Sequence, residues 1–159
     1  PVILHPESRG HVKLKSADPA DHIAIHGNFL SEQKDRDTFR AGFEMVRDVV
    51  SQKPLDAFRG AEINPGSDCK TAEQIDAFIR QTAWTVHHPL GTCKMGAAND
   101  ETAVVDPTLR VRGVENLRVV DASVMPDMPG GNINAPVIAM AERAADLICG
   151  NQPLAPAAI

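Results

Sequence analysis

The sequence has no tyrosine, a single tryptophan and only three cysteines, Cys69, Cys93 and Cys149, scattered over 159 residues. An odd number of distant thiols suits reduced cysteines better than a disulfide framework. There is no run of Lys or Arg and the formal net charge is −5, so neither nucleic acid nor an anionic membrane is the expected partner. Nowhere do the roughly 18 to 20 consecutive apolar residues needed to cross a bilayer occur, and the opening PVILHPESRG lacks the charged-then-apolar order of a secretory signal. These absences point to the cytoplasm, with peripheral contact to a membrane left open. Also missing are a P-loop and the dinucleotide fingerprint G-x-G-x-x-G, so the usual nucleotide grip is not in this chain.

What is present is the composition of a single globular domain, with twelve prolines and eleven glycines spread along it, which predicts many turns. Val12 to Lys15 and His22 to His26 alternate apolar and polar residues and read as strands. Phe39, Phe43, Met45, Val46, Val49 and Val50 recur at helical spacing from Asp37 to Ser51, with Pro54 closing the segment. After the Asn64-Pro65-Gly66 turn, Thr71 with Gln74 three residues on predicts a capped helix to about Gln81, with Ile75, Phe78 and Ile79 on one face. Trp84 to Gly96 has no period and reads as a shaped loop. Two short strands are expected at Leu109–Val111 and Leu117–Val120, the second delivering Asp121-Ala122-Ser123 from its end. Gly130-Gly131 then precedes a helix with Pro136 in its first turn, a stripe of Val137, Met140, Ala141, Ala144 and Ile148, and Gly150 as its stop. The fold class expected is α+β, and the Ala/Pro-rich residues 151–159 read as a poorly ordered tail.

His87-His88 followed by Cys93 admits three chemistries when read from the residues alone. Zinc is disfavoured because adjacent histidines do not easily aim at one ion and no second ligand pair follows, so no metal ligand is assigned. A thiol activated by a neighbouring imidazole is the second reading, and histidines satisfied beneath a loop the third. His5, His11, His22 and His26 fall in the strand-rich opening and read as exposed or structural.

Three segments in order, HHPLGTCKMG at 87–96, VVDPTLRVRGVENLRVVDASVMP at 104–126 and GGNINAPVIAMAERAADLI at 130–148, resemble the close of a glucose-methanol-choline (GMC) flavin oxidoreductase. The opening LHPESRGHVKLKSADPADH is similar to the start of that family's substrate portion, and the likeness is greatest to bacterial alcohol dehydrogenases of the choline-dehydrogenase type. The resemblance implies FAD as cofactor and a small primary alcohol as substrate, oxidised to an aldehyde. His88 would take the hydroxyl proton while hydride passes to flavin N5, and Asn132 would hold the alkoxide-like oxygen. The doubled histidine permits a one-residue error, but the Gly91-Thr92 spacing favours His88. Asn134 and Ala135, at the start of the last helix, would face the flavin, and Asp121 and Ala122 would approach the ribityl-pyrophosphate part, Ala122 through its amide. By the same resemblance residues 1–106 belong mainly to the substrate-binding portion, 107–150 complete the FAD-binding domain, and the partner is the amino-terminal FAD-binding portion that bears the fingerprint. A hydroxynitrile-lyase-type relative and a non-catalytic remnant that binds rather than catalyses are the alternatives.

Overall fold

The computed structural model describes residues 1–152 and Ala155. The expected tail at 151–159 therefore falls largely outside the described residues. The chain divides into two compact units, Pro1–Val86 and His87–Ile159, a division that lies before the functional boundary expected at 106.

In the first unit, β1 (His11–Lys13) and β2 (Ala24–His26) pair antiparallel, with His11 opposite His26, Val12 opposite Ile25 and Lys13 opposite Ala24. Both are shorter than the alternation suggests. The residues between them are taken up by a turn in which the Asp18 carboxylate accepts from the Ala20 amide at 2.9 Å and the Ser16 hydroxyl donates to Asp21 at 2.5 Å. Gly10 is needed at the ribbon's edge, because a Cβ there would sit 2.2 Å from the His26 carbonyl oxygen.

Helix α1 (Gln33–Ser51) begins a turn earlier than its apolar stripe predicts. Its first turn carries Asp35, which is 2% exposed and accepts from the Glu7 and Ser8 amides, each at 2.8 Å, and from the Ser8 hydroxyl at 2.5 Å. A carboxylate near a helix start is favoured by the dipole, and here it also ties the opening segment to α1. Periodicity is blind to such an anchor because the residue is polar.

Helix α2 (Ala72–Thr82) has the expected capping box: the Gln74 amide donates to the Thr71 hydroxyl while the Gln74 side chain accepts from the Thr71 amide at 2.9 Å. Ile75 and Ile79 are buried. Arg40 of α1 grips Asp76 of α2 with two bonds, 2.9 and 2.5 Å, and the Phe43 and Phe78 rings meet at 5.9 Å. Arg47 lies 4.5 Å over the Phe43 ring, pairs with Glu62 and donates to the Cys69 carbonyl at 2.7 Å, which holds the 62–69 loop on α1.

In the second unit the strands expected at Leu109–Val111 and Leu117–Val120 reduce to single bridges, Val105 with Val111 and Arg110 with Arg118. Extended pairing is interrupted because Leu109, Gly113 and Asn116 all adopt positive φ, at 67°, 74° and 58°. The Asp106 carboxylate reinforces the bend by accepting from the Thr108 and Arg110 amides at 2.8 and 3.0 Å. Helix α3 (Asn134–Cys149) ends on Gly150 at φ 72°, as its sequence predicts. Ala144 of α3 is buried with Val105, Leu109 and Val124, and Cys93, Met95, Val111, Val119, Val120 and Met140 pack around them. Among the described residues the architecture is thus three α-helices with a small two-stranded sheet.

Candidate active site

All the candidate residues, His88, Asp121, Ala122, Asn132, Asn134 and Ala135, belong to the second unit. His88 lies on the irregular loop that the sequence predicts. Gly91 turns this loop at φ 86°, and the Lys94 amide closes the turn on the Gly91 carbonyl at 3.3 Å. His87 also has positive φ, 60°, a conformation that histidine tolerates better than most side chains. His88 is half-buried and Asn132 exposed.

The far end of the loop is fastened to the Asp121-Ala122 segment by backbone hydrogen bonds, Cys93 amide to Ser123 carbonyl at 2.9 Å and Met95 amide to Val124 carbonyl at 2.8 Å. Cys93 and Met95 then turn their side chains onto the core. This packing gives Cys93 a structural occupation and explains why a thiol stands so close to the histidine pair. Ala122–Val124 form one 3-10 turn, capped by Asp121, whose carboxylate accepts from the Ser123 amide at 2.8 Å. The Asp121 charge is thereby engaged with its own turn.

Residues to which the sequence reading gave no role brace the end of the loop and the segment that follows it. The Arg112 guanidinium donates to the carbonyls of Asp100 at 2.6 Å, Gly96 at 2.9 Å and Ala97 at 2.6 Å. Lys94 pairs with Asp100 at 3.1 Å. The Thr102 hydroxyl and Lys94 together hold the Asp100 carboxyl down at about 2. The Thr108 hydroxyl likewise lowers Asp106. A legible signal existed, since Asp100-x-Thr102, Asp106-x-Thr108 and Asp121-x-Ser123 share one Asx-turn pattern and all three form it.

Helix α3 carries Asn134 and Ala135, both exposed, in its first turn, and no side chain caps the helix start at Ile133. Unclaimed N–H groups with the positive end of a helix dipole suit an electron-rich ring edge or an anion. Met140 and Ala144, farther along the helix, pack on the same core as Cys93 and Val124. The three motifs thus share one core. No hydrogen bond joins His88 to Asn132 among the described residues. Nor do three or more His, Cys, Asp or Glu side chains gather into a metal cage among the described residues.

Residues 6–141 match the family described as GMC oxidoreductase. The oxygen-dependent choline dehydrogenase of Citrobacter koseri is 53% identical over 148 residues, covering 93% of this chain and 26% of that protein. Pyridoxine 4-oxidase from Mesorbium loti, a solved structure, superposes with a TM-score of 0.86 at 38% identity over 94% of this chain and 29% of its own. An FAD-dependent oxidoreductase from Chaetomium thermophilum does so with a TM-score of 0.86 at 30% identity, over 92% and 25%. The chain spans about a quarter of the length of the curated relative, 26%.

Proposed function

Since the chain belongs to the GMC oxidoreductase family, we propose that it is the carboxy-terminal part of an FAD-dependent enzyme that oxidises a primary alcohol to an aldehyde. The observation that carries this reading is the fastening of the His88 loop to the Asp121-Ala122 turn by the Cys93–Ser123 and Met95–Val124 bonds. It joins the segment bearing a candidate base to the segment bearing a candidate phosphate contact without spending either side chain.

In this proposal His88 accepts the proton of the substrate hydroxyl, a role for which neutral imidazole is suited. Asn132 donates a hydrogen bond from its amide nitrogen to the alkoxide-like oxygen and fixes its direction. The bound flavin supplies the hydride acceptor. The α3 start with Asn134 and Ala135 would hold the flavin ring and the Ala122 amide a phosphate of the cofactor, while the Asp121 carboxylate organises its own turn through the Ser123 amide. Residues 1–106, the base loop included, would serve mainly the substrate side and 107–150 the cofactor side, and the rest of the FAD-binding domain would come from the remaining length found in relatives.

Choline is the first substrate to try, because the curated relative at 53% identity is a choline dehydrogenase. The test is anaerobic mixing of the complete, flavin-loaded enzyme with choline, then with short aliphatic and aromatic alcohols. Bleaching of the oxidised flavin bands by one class supports the reading and names the substrate. Flavin that stays oxidised with every alcohol, while dithionite bleaches it, sinks the proposal.

A further inference from the structure

The antiparallel register places His11 of β1 directly opposite His26 of β2. Residues paired in this way project from the same face of a ribbon with Cβ atoms about 4.5 to 5.5 Å apart. The two imidazoles lie side by side, ring centroids 5.1 Å apart and planes inclined by 29°, and both residues are exposed. Among the described residues no hydrogen bond occupies their ring nitrogens. The neighbouring backbone is braced: Gly10 abuts the His26 carbonyl oxygen, and the Asn28 side chain donates to the Arg9 carbonyl at 2.9 Å.

We propose that His11 and His26 form a two-imidazole site for a divalent first-row transition-metal ion. An ion bound through nitrogens at about 2.0 to 2.1 Å needs those nitrogens roughly 3 to 4 Å apart. The rings stand 5.1 Å apart on one face of the ribbon, and turning one nitrogen of each toward a shared ion takes rotation of both rings out of the stack. Imidazole ligands select Cu2+ most strongly, with Ni2+ and Zn2+ weaker, and are poor partners for Ca2+ and Mg2+, which require oxygen. Among the described residues no third His, Cys, Asp or Glu joins the pair, so this chain offers the ion two ligands. The site escapes sequence reading because His11 and His26 are separated by a turn, and only strand register brings them together.

The experiment is a Cu2+ titration of the complete enzyme after chelator treatment, followed by calorimetry and by electron paramagnetic resonance. One equivalent should bind with the nitrogen splitting of two imidazoles. Either His11→Gln or His26→Gln should leave one imidazole and weaken that equivalent on the order of 100-fold, since the second ligand acts intramolecularly. His22→Gln, outside the register pair, should leave binding unchanged. Both paired positions are exposed, so the variants are expected to fold, and equal flavin content checks this. A single imidazole in the unaltered enzyme, equal affinity in His26→Gln, or loss in His22→Gln would overturn the site.

Discussion

At the scale of the residue, the candidate base and its helper make separable predictions. His88→Ala should slow anaerobic flavin reduction by about two to four orders of magnitude, the usual worth of a general base. Asn132→Ala should lower kcat by about 100- to 1,000-fold, the cost of removing one oxyanion donor, while leaving the shape of the pH–rate profile unchanged. Stopped-flow reduction across pH measures both, and a rate for His88→Ala near that of the unaltered enzyme would return the base assignment to His87. Asp100 predicts a stability effect of defined sign. Its carboxyl sits at about 2 against an ordinary 3.8, held there by the Thr102 hydroxyl and Lys94. A depressed carboxyl adds stability that is complete above its unfolded value and is lost as the pH falls through its folded value. Acid unfolding followed by circular dichroism should thus steepen between those two values, and Asp100→Asn should flatten that part of the curve.

Elements that the sequence presents as equals differ in how they are held. Helix α2 is legible from end to end because its cap is a local four-residue pattern, and Thr71→Ala should cost about 1 kcal/mol. Its packing depends on Ile79, 5% exposed, and Ile79→Ala should cost about 2 to 5 kcal/mol in denaturant unfolding. The far end of the His88 loop is held by backbone bonds to Ser123 and Val124 and by the Met95–Val105 bridge, and Arg112 braces the residues that follow. Arg112→Ala leaves the Asp100, Gly96 and Ala97 carbonyls without their donor, for a loss of about 1 to 3 kcal/mol in thermal unfolding of the complete enzyme. Arg112→Lys should recover only part of it, since an ammonium cannot reproduce the guanidinium fork. The start of α1 and the bridges at 104–119 were illegible for opposite reasons. The first depends on one buried carboxylate, Asp35, that an apolar pattern discards; the second contains an apolar alternation that positive φ at Leu109 overrides.

At the scale of the whole molecule, the balance of apolar surface is the telling quantity. Among the described residues the buried apolar side chains are few: Ile75, Ile79, Ala103, Val105, Leu109, Val124, Met125 and Ala144. Large side chains such as Phe58, Ile63 and Trp84 stand 86%, 94% and 81% exposed. Exposed apolar surface of this kind is the chemistry of an interaction face. Residues 1–159 expressed by themselves should therefore bind the dye ANS strongly and melt without a sharp calorimetric transition. Addition of the amino-terminal portion found in relatives should suppress both signs and restore flavin binding. A single cooperative endotherm without dye binding would instead favour a self-sufficient small domain.

The sequence by itself determined the family, through three ordered motifs, and the features whose physics is local: the α2 capping box, the glycine stop of α3 and the irregular loop after Trp84. Each is set by residues within a few positions of one another, where spacing and backbone preference suffice. Only the tertiary structure decided that Cys93 and Met95 face a core instead of a substrate, that Arg112 and Asp100 brace the loop, and that His11 meets His26. Those outcomes join residues far apart in the chain, and a long-range pairing depends on register and packing, which no single stretch of sequence encodes.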